Sequence, residues 1–205
     1  GTRSPPAGWQ TAHMAQVFDA IDDVMAEWMA AQPVFFVGSA PSDGGHVNVS
    51  PKGYDTFRVL DPHRVAYLDL TGSGAETVAH LRDNGRLTIM FCAFAGRPRI
   101  LRLFGDGRAH PLGSPEFVEL APRFTDHPGA RQIVELAVTR IQTSCGFAVP
   151  FMEFQGERPK LSQWAARKGD DGLREYRSRH NSTSIDGLPA LDGTQPTWAG
   201  PAAGG

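Results

Sequence analysis

Alternating or strongly apolar segments follow one another along this chain in hairpin order, with turns between them and helices inserted only occasionally. No other feature limits the possible folds as much. The run Val34-Phe35-Phe36-Val37 is followed by the turn Pro41-Ser42-Asp43-Gly44-Gly45 and then by His46-Val47-Asn48-Val49-Ser50. In that second run the valines face one way and His46, Asn48 and Ser50 the other. A period of two marks a half-buried strand, and an Asp-Gly turn between two such runs predicts a hairpin. Further strands are expected over residues 64–70, 87–94, 99–108 and 133–141. A helix is expected over 14–32, with Phe18, Ile21, Met25, Trp28 and Met29 on one face and Pro33 closing it. Shorter helices are expected over 75–84, capped by Gly85, and over 115–121. Residues 164–180 are polar and helix-prone apart from Gly169 and Gly172. Regular β-α alternation would argue for a parallel sheet; this order argues for a mainly β, antiparallel barrel with flanking helices.

With 205 residues, 40% of them apolar and 20% charged, the chain suits one globular domain. Residues 14–191 are expected to form it, between a flexible leader over 1–13 and a disordered tail over 192–205. Ile185, Leu188 and Leu191 punctuate an otherwise polar stretch, so residues 181–191 are expected to dock instead of waving free. A net charge of −2 gives no bulk electrostatic case for nucleic acid or an anionic membrane. No apolar stretch approaches the ~20 residues of a membrane span, and no signal-peptide core is evident, so a cytoplasmic protein is expected. Cys92 and Cys145 cannot build a disulfide framework and are expected to be inert core thiols. The seven histidines are scattered without zinc-ligand spacing. Dinucleotide, Walker and nucleophile-elbow motifs are all missing.

Three segments carry candidate chemistry. Asn48-Val49-Ser50-Pro51-Lys52-Gly53 is a strand whose polar face ends in a cation at the barrel rim, and Pro51 makes it an edge or a bulge. The same pattern also suits a solvated lysine after a strand. Asp69-Leu70-Thr71-Gly72-Ser73-Gly74-Ala75-Glu76-Thr77 is a Gly-rich turn into a helix, which offers free N–H groups and hydroxyls to a phosphate. Ser73 and Glu76 equally make a capping box that would consume those amides internally. Arg99 and Arg102 lie at an odd spacing, so one can meet a ligand while the other pairs on the surface.

The arrangement of these segments, over about 34–164, resembles the pyridoxamine 5′-phosphate oxidase-like flavin split barrels. That resemblance implies a six-stranded antiparallel split β-barrel and a homodimer with FMN at its interface. It also implies an oxidoreductase acting on a small molecule. Within it, Asn48 to Lys52 would run along the flavin ring and ribityl chain, and the stretch containing Asp69, Thr71, Gly72, Ser73, Gly74 and Thr77 would hold the phosphate. The partner subunit would cover the flavin with residues from a hairpin like 89–102, which includes Arg99, and from near 145–154. The chain departs from true pyridoxamine phosphate oxidases in three places. Val47 stands where they carry an arginine, Ser73-Gly74-Ala75 replaces a Ser-Arg-Lys cluster, and Ala148-Val149-Pro150-Phe151-Met152 replaces a basic substrate-phosphate motif. Losing those charge-assisted contacts argues against pyridoxamine phosphate as substrate. An F420-dependent reductase and a non-catalytic flavin- or heme-binding protein are the alternatives on the same fold. No side chain is singled out as acid or base, and no metal is implied.

Overall fold

A computed structural model describes residues 15–192. The expected leader over 1–13, and all but the first residue of the expected tail, lie outside the described residues. Eight strands form one antiparallel sheet: β1 (Gln16–Phe18), β2 (Phe35–Ser39), β3 (Asn48–Lys52), β4 (Phe57–Asp61), β5 (Arg64–Leu70), β6 (Arg86–Cys92), β7 (Ile100–Pro111) and β8 (Ala130–Ser144). Their order is β3-β2-β6-β7-β8-β5-β4, with β1 beside β8. The two ends of that order meet across the interior. Phe35 on β2 packs against Phe57 and Tyr67 at ring separations of 5.4 and 5.7 Å. Lys52 on β3 reaches Asp69 on β5 at 2.8 Å. Side chains rather than a ladder therefore close the barrel along β3 and β4, and it is split there. The mainly β, antiparallel split barrel with flanking helices inferred from the sequence is the fold found.

The expected count of six strands is too low because β1 and β4 went unrecognised. The helix expected over 14–32 is confined to α1 (Asp23–Ala30). Asp22 is extended and accepts a hydrogen bond from Met25 N at 2.7 Å, so it caps the helix at that point. Upstream of it, Gln16–Phe18 pairs with residues 141–143 of β8. β5 covers the same edge of β8 only over 130–137, so β1 supplies the missing hydrogen-bond partners. Met25 and Met29 are buried in the main core with Val37, Val65, Tyr67, Ile89, Phe91, Leu101, Leu103 and Leu136. Burying each methionine contributes roughly 2 kcal/mol.

β5 is buried on both faces. Val65 and Tyr67 point into the barrel, while Ala66 and Leu68 lie in a second cluster under α3 (Pro115–Leu120). α2 (Glu76–Asn84) ends at Gly85, whose left-handed φ of 73° disfavours any side chain there. His80 on α2 is fully buried and hydrogen-bonded to Ser39 at 2.9 Å. α4 (Lys160–His180) is interrupted at Gly169, whose φ is 60°, while Gly172 stays within the helix. The segment after α4 folds back as a tight turn and places Ala190 and Leu191 against Ala75, Val78 and Ala79 of the α2 region. It docks, as expected, through Leu188 and Leu191, and Ile185 stays exposed. Cys92 is buried, but Cys145 is exposed, which corrects the expectation of two core thiols. No helix among the described residues is long and apolar enough to cross a membrane.

Candidate functional site

β3 is an edge strand, and its two faces have unlike neighbours. Val47 and Val49 are 75% and 63% exposed, and Pro51 is exposed beside them. Asn48, Ser50 and Lys52 form the half-buried face. The polar face of this strand therefore turns inward, and the apolar face is left to solvent. Asn48 Nδ2 donates to Thr77 Oγ1 at 3.1 Å and to Ser50 Oγ at 3.3 Å. That link ties the start of β3 to the first turn of α2, although the two residues lie far apart in sequence.

At the other end of β3, Lys52 donates to Asp69 Oδ1 at 2.8 Å, and its ammonium sits 5.6 Å from the Tyr67 ring. Asp69 is a buried junction. Its second oxygen accepts from Arg131 Nε at 2.7 Å and from Gln132 Nε2 at 2.8 Å. Burial alone pushes the Asp69 carboxyl up, but Arg131 and Lys52 outweigh it and hold the group well below its ordinary 3.8. With its oxygens engaged this way, Asp69 fixes the Lys52 ammonium in place. An ammonium has three protons to donate, so Lys52 keeps donors for a ligand.

Thr71 N donates to Gly129 O at 2.7 Å, and the Thr71 hydroxyl is buried with no hydrogen-bond partner among the described residues. The Ser73–Glu76 capping box does not form. Ala75 is the N-cap of α2, no side chain caps the helix, and the Glu76 carboxylate accepts from Ala75 N at 3.0 Å. Ser73 and Gly74 are exposed, and Gly72 has open space where a Cβ would stand. From behind, Arg131 Nη2 donates to Gly74 O at 2.8 Å, and Asn181 Nδ2 donates to Gly72 O at 3.0 Å.

Asn48, Ser50, Lys52, Asp69, the 71–74 turn and Thr77 thus belong to one continuous cluster. Val49 and Pro51 share the strand but face away. Arg99 stands apart, with its guanidinium stacked on Trp28 at 4.8 Å. Arg131, Gln132 and Asn181 escaped the sequence analysis. The one available signal was an Arg-Gln pair immediately before the apolar run at 133–141, and nothing in it names Asp69 as partner.

Beside Gly53 opens a cavity of about 870 Å³, lined by Met29, Phe35, Phe57, Phe94, Met152 and Phe154 together with Tyr54, Asp55, Arg58 and Glu157. Tyr54 has a φ of 58° although it carries a side chain, and such strain persists only where the surroundings impose it. Its N–H donates to Glu157 at 3.2 Å and its hydroxyl to Arg158 O at 2.6 Å. Arg58 is held by Asp55 at 2.5 and 2.7 Å, so its charge is already answered. Among the described residues no cluster of His, Cys, Asp and Glu can hold a metal ion.

Comparison with known proteins gives matches in sequence and in structure. HupZ of Group A Streptococcus superposes with a TM-score of 0.46 at 21% identity, over 59% of this chain and 91% of that one. The FAD binding protein of Mycobacterium smegmatis does so with a TM-score of 0.44 at 12% identity, over 62% and 96%. In sequence, the pyridoxamine 5′-phosphate oxidase family protein ustO of Aspergillus flavus is 41% identical, over 85% of this chain and 77% of its own. Residues 21–145, which contain β2 to β8 and the whole Lys52–Asp69 cluster, match the family described as pyridoxamine 5′-phosphate oxidase. On that match and on the extent of its identity with ustO, the chain belongs to the pyridoxamine 5′-phosphate oxidase family.

Proposed function

We propose that this protein is an FMN-dependent oxidoreductase that acts, as a homodimer, on an apolar small molecule. One observation carries the reading. The inward polar face of β3 and the exposed 72–74 turn converge, joined by Asn48–Thr77 and Lys52–Asp69, so that a cation and backbone amides border one surface. That donor set suits a planar, acceptor-rich ring carrying a phosphate. When bound, the flavin supplies the two-electron chemistry. Asn48 and Ser50 would hold ring-edge or ribityl oxygens. Lys52, held in place by Asp69, would keep a positive charge beside the pyrimidine edge, where negative charge gathers on reduction.

The cavity beside Gly53 supports a substrate without phosphate. Its walls are mainly apolar, and a phosphate entering it would meet Asp55 and Glu157, with Arg58 already bound to Asp55. Met152, from the segment that replaces the family's basic substrate motif, is one of the lining residues.

Purified protein is expected to be yellow and to release FMN, identified by absorbance and mass. Release of F420 in its place, or failure to retain flavin with FMN in millimolar excess, overturns the proposal.

A further inference from the structure

Three consecutive peptides of the turn before α2 have their carbonyls held from the protein side. Asn181 Nδ2 donates to Gly72 O at 3.0 Å and to Ser73 O at 3.4 Å, and Arg131 Nη2 donates to Gly74 O at 2.8 Å. A trans peptide points its N–H opposite to its C=O. The amides of Ser73, Gly74 and Ala75 are therefore turned outward together. Among the described residues, the Ser73 and Gly74 amides meet no acceptor. The third, Ala75 N–H, is taken at 3.0 Å by the carboxylate of Glu76. Successive outward amides form an anion-binding concavity, and here a carboxylate from the chain itself sits at its edge.

Positive charge gathers behind the same turn. Arg131 and Arg177 are 5% and 2% exposed, and each has an Nη1 without a hydrogen-bond partner among the described residues. Asp69 is the carboxylate bound to Arg131 and also to Lys52, so one anion answers two cations. Among the described residues Arg177 donates to a backbone carbonyl, Leu173 O, and feels the charge of Asp170. Thr71 Oγ1 and Asn181 Oδ1 are likewise buried and meet no partner among the described residues. Groups of this kind are costly to bury unanswered, and an excess of buried cations favours an anion in front of them.

We propose that Asn181 and Arg131 are positioning residues that shape the 73–75 amides into a phosphate seat. In this arrangement Glu76 is an internal anion that holds the edge of the seat until a phosphate displaces it. The inference rests on the FMN reading and adds how this chain replaces the missing Ser-Arg-Lys cations: the charge stands behind the turn and acts through its backbone. No bond is made or broken in the exchange; the Glu76 carboxylate swings out to solvent as the phosphate accepts its hydrogen bond.

The full chain is titrated with FMN and with riboflavin, which lacks the phosphate. Asn181→Ala is expected to weaken FMN about tenfold, the scale of one hydrogen bond's support to a charged group, with riboflavin changed less than about twofold. Glu76→Gln is expected to tighten FMN about threefold, within the usual range for one charge at a helix N-terminus, and to leave riboflavin alone. Equal weakening of both ligands by Asn181→Ala, or no gain from Glu76→Gln, overturns the inference. A second probe stands apart from flavin binding. Inorganic phosphate should shift the amide resonances of Ser73, Gly74 and Ala75 in the parent protein, and more strongly in Glu76→Gln. If phosphate moves them while no flavin binds, the FMN proposal fails and the seat stands. Unmoved resonances in both proteins overturn the seat.

Discussion

Asp69 accepts hydrogen bonds from Lys52, Arg131 and Gln132, and two of those three donors are cations. Replacing it with asparagine keeps the shape but removes the charge that both cations answer. Loss of one partner from a buried ion pair costs about 3–5 kcal/mol, and Asp69→Asn is expected to lower the denaturant midpoint accordingly. The pH dependence fixes the sign. Because the folded carboxyl lies below its ordinary 3.8, the native state gains from its ionisation above that value and loses the gain as pH falls toward the depressed one. The stability gap between parent and variant should be widest near neutrality and should narrow only below about pH 4. A gap that stays constant down to strong acid would remove Asp69's charge from the account. At this scale the sequence displayed Lys52 and the Gly-rich turn, because each is a local pattern. It could not display Arg131 or Asn181. Their partners lie far away along the chain, and only the folded sheet and the returning C-terminal segment bring them together.

Hairpins were legible because turns separate the strand-like runs, with a period of two at β3 and apolar runs at β2 and β6. β5 and α2 were found with almost their observed bounds for a related reason, since Gly85 ends the helix wherever the rest of the chain goes. β1 and β4 were not found. Phe18 of β1 fits a helical stripe with Ile21 and Met25 as well as it fits a strand, and the uncovered edge of β8 at 141–143 decides the matter. Periodicity also fails to say which face of β3 is inside; the polar residues of that strand are turned inward by Thr77 and Asp69. Between the two longest strands the pairing depends on one glycine. At the bulge following Phe104, a Cβ on Gly105 would stand 1.9 Å from Ala137 O, against backbone that cannot yield alone. Gly105→Ala should therefore cost about 3 kcal/mol, at the upper end of overpacking penalties, and calorimetry should show a clearly lower melting temperature. A variant as stable as the parent would mean that β7 and β8 shift freely at the bulge.

Large apolar side chains left on the surface say what the isolated barrel lacks. Besides Val47 and Val49 on the open edge strand, the segment after β8 exposes Phe147, Phe151, Met152 and Phe154, with Phe151 at 84%. A lone apolar residue on a surface needs no explanation, but a run of them beside a cavity does. An exposed edge strand with an apolar outer face also invites association unless something covers it. A second copy of the chain is the occupant named in the proposed function, and on that proposal it would cover the flavin. Light scattering coupled to gel filtration is expected to give twice the chain mass at micromolar concentration. Introducing Phe151→Asp together with Phe154→Asp should halve it, since a buried charge facing its own symmetry mate is repelled and desolvated. If the interface completes the cofactor site, the same pair of changes should weaken FMN retention while circular dichroism stays that of a folded barrel. A parent protein that elutes as a monomer, yet keeps its flavin, would place the whole site within one chain and leave those phenylalanines to some other partner.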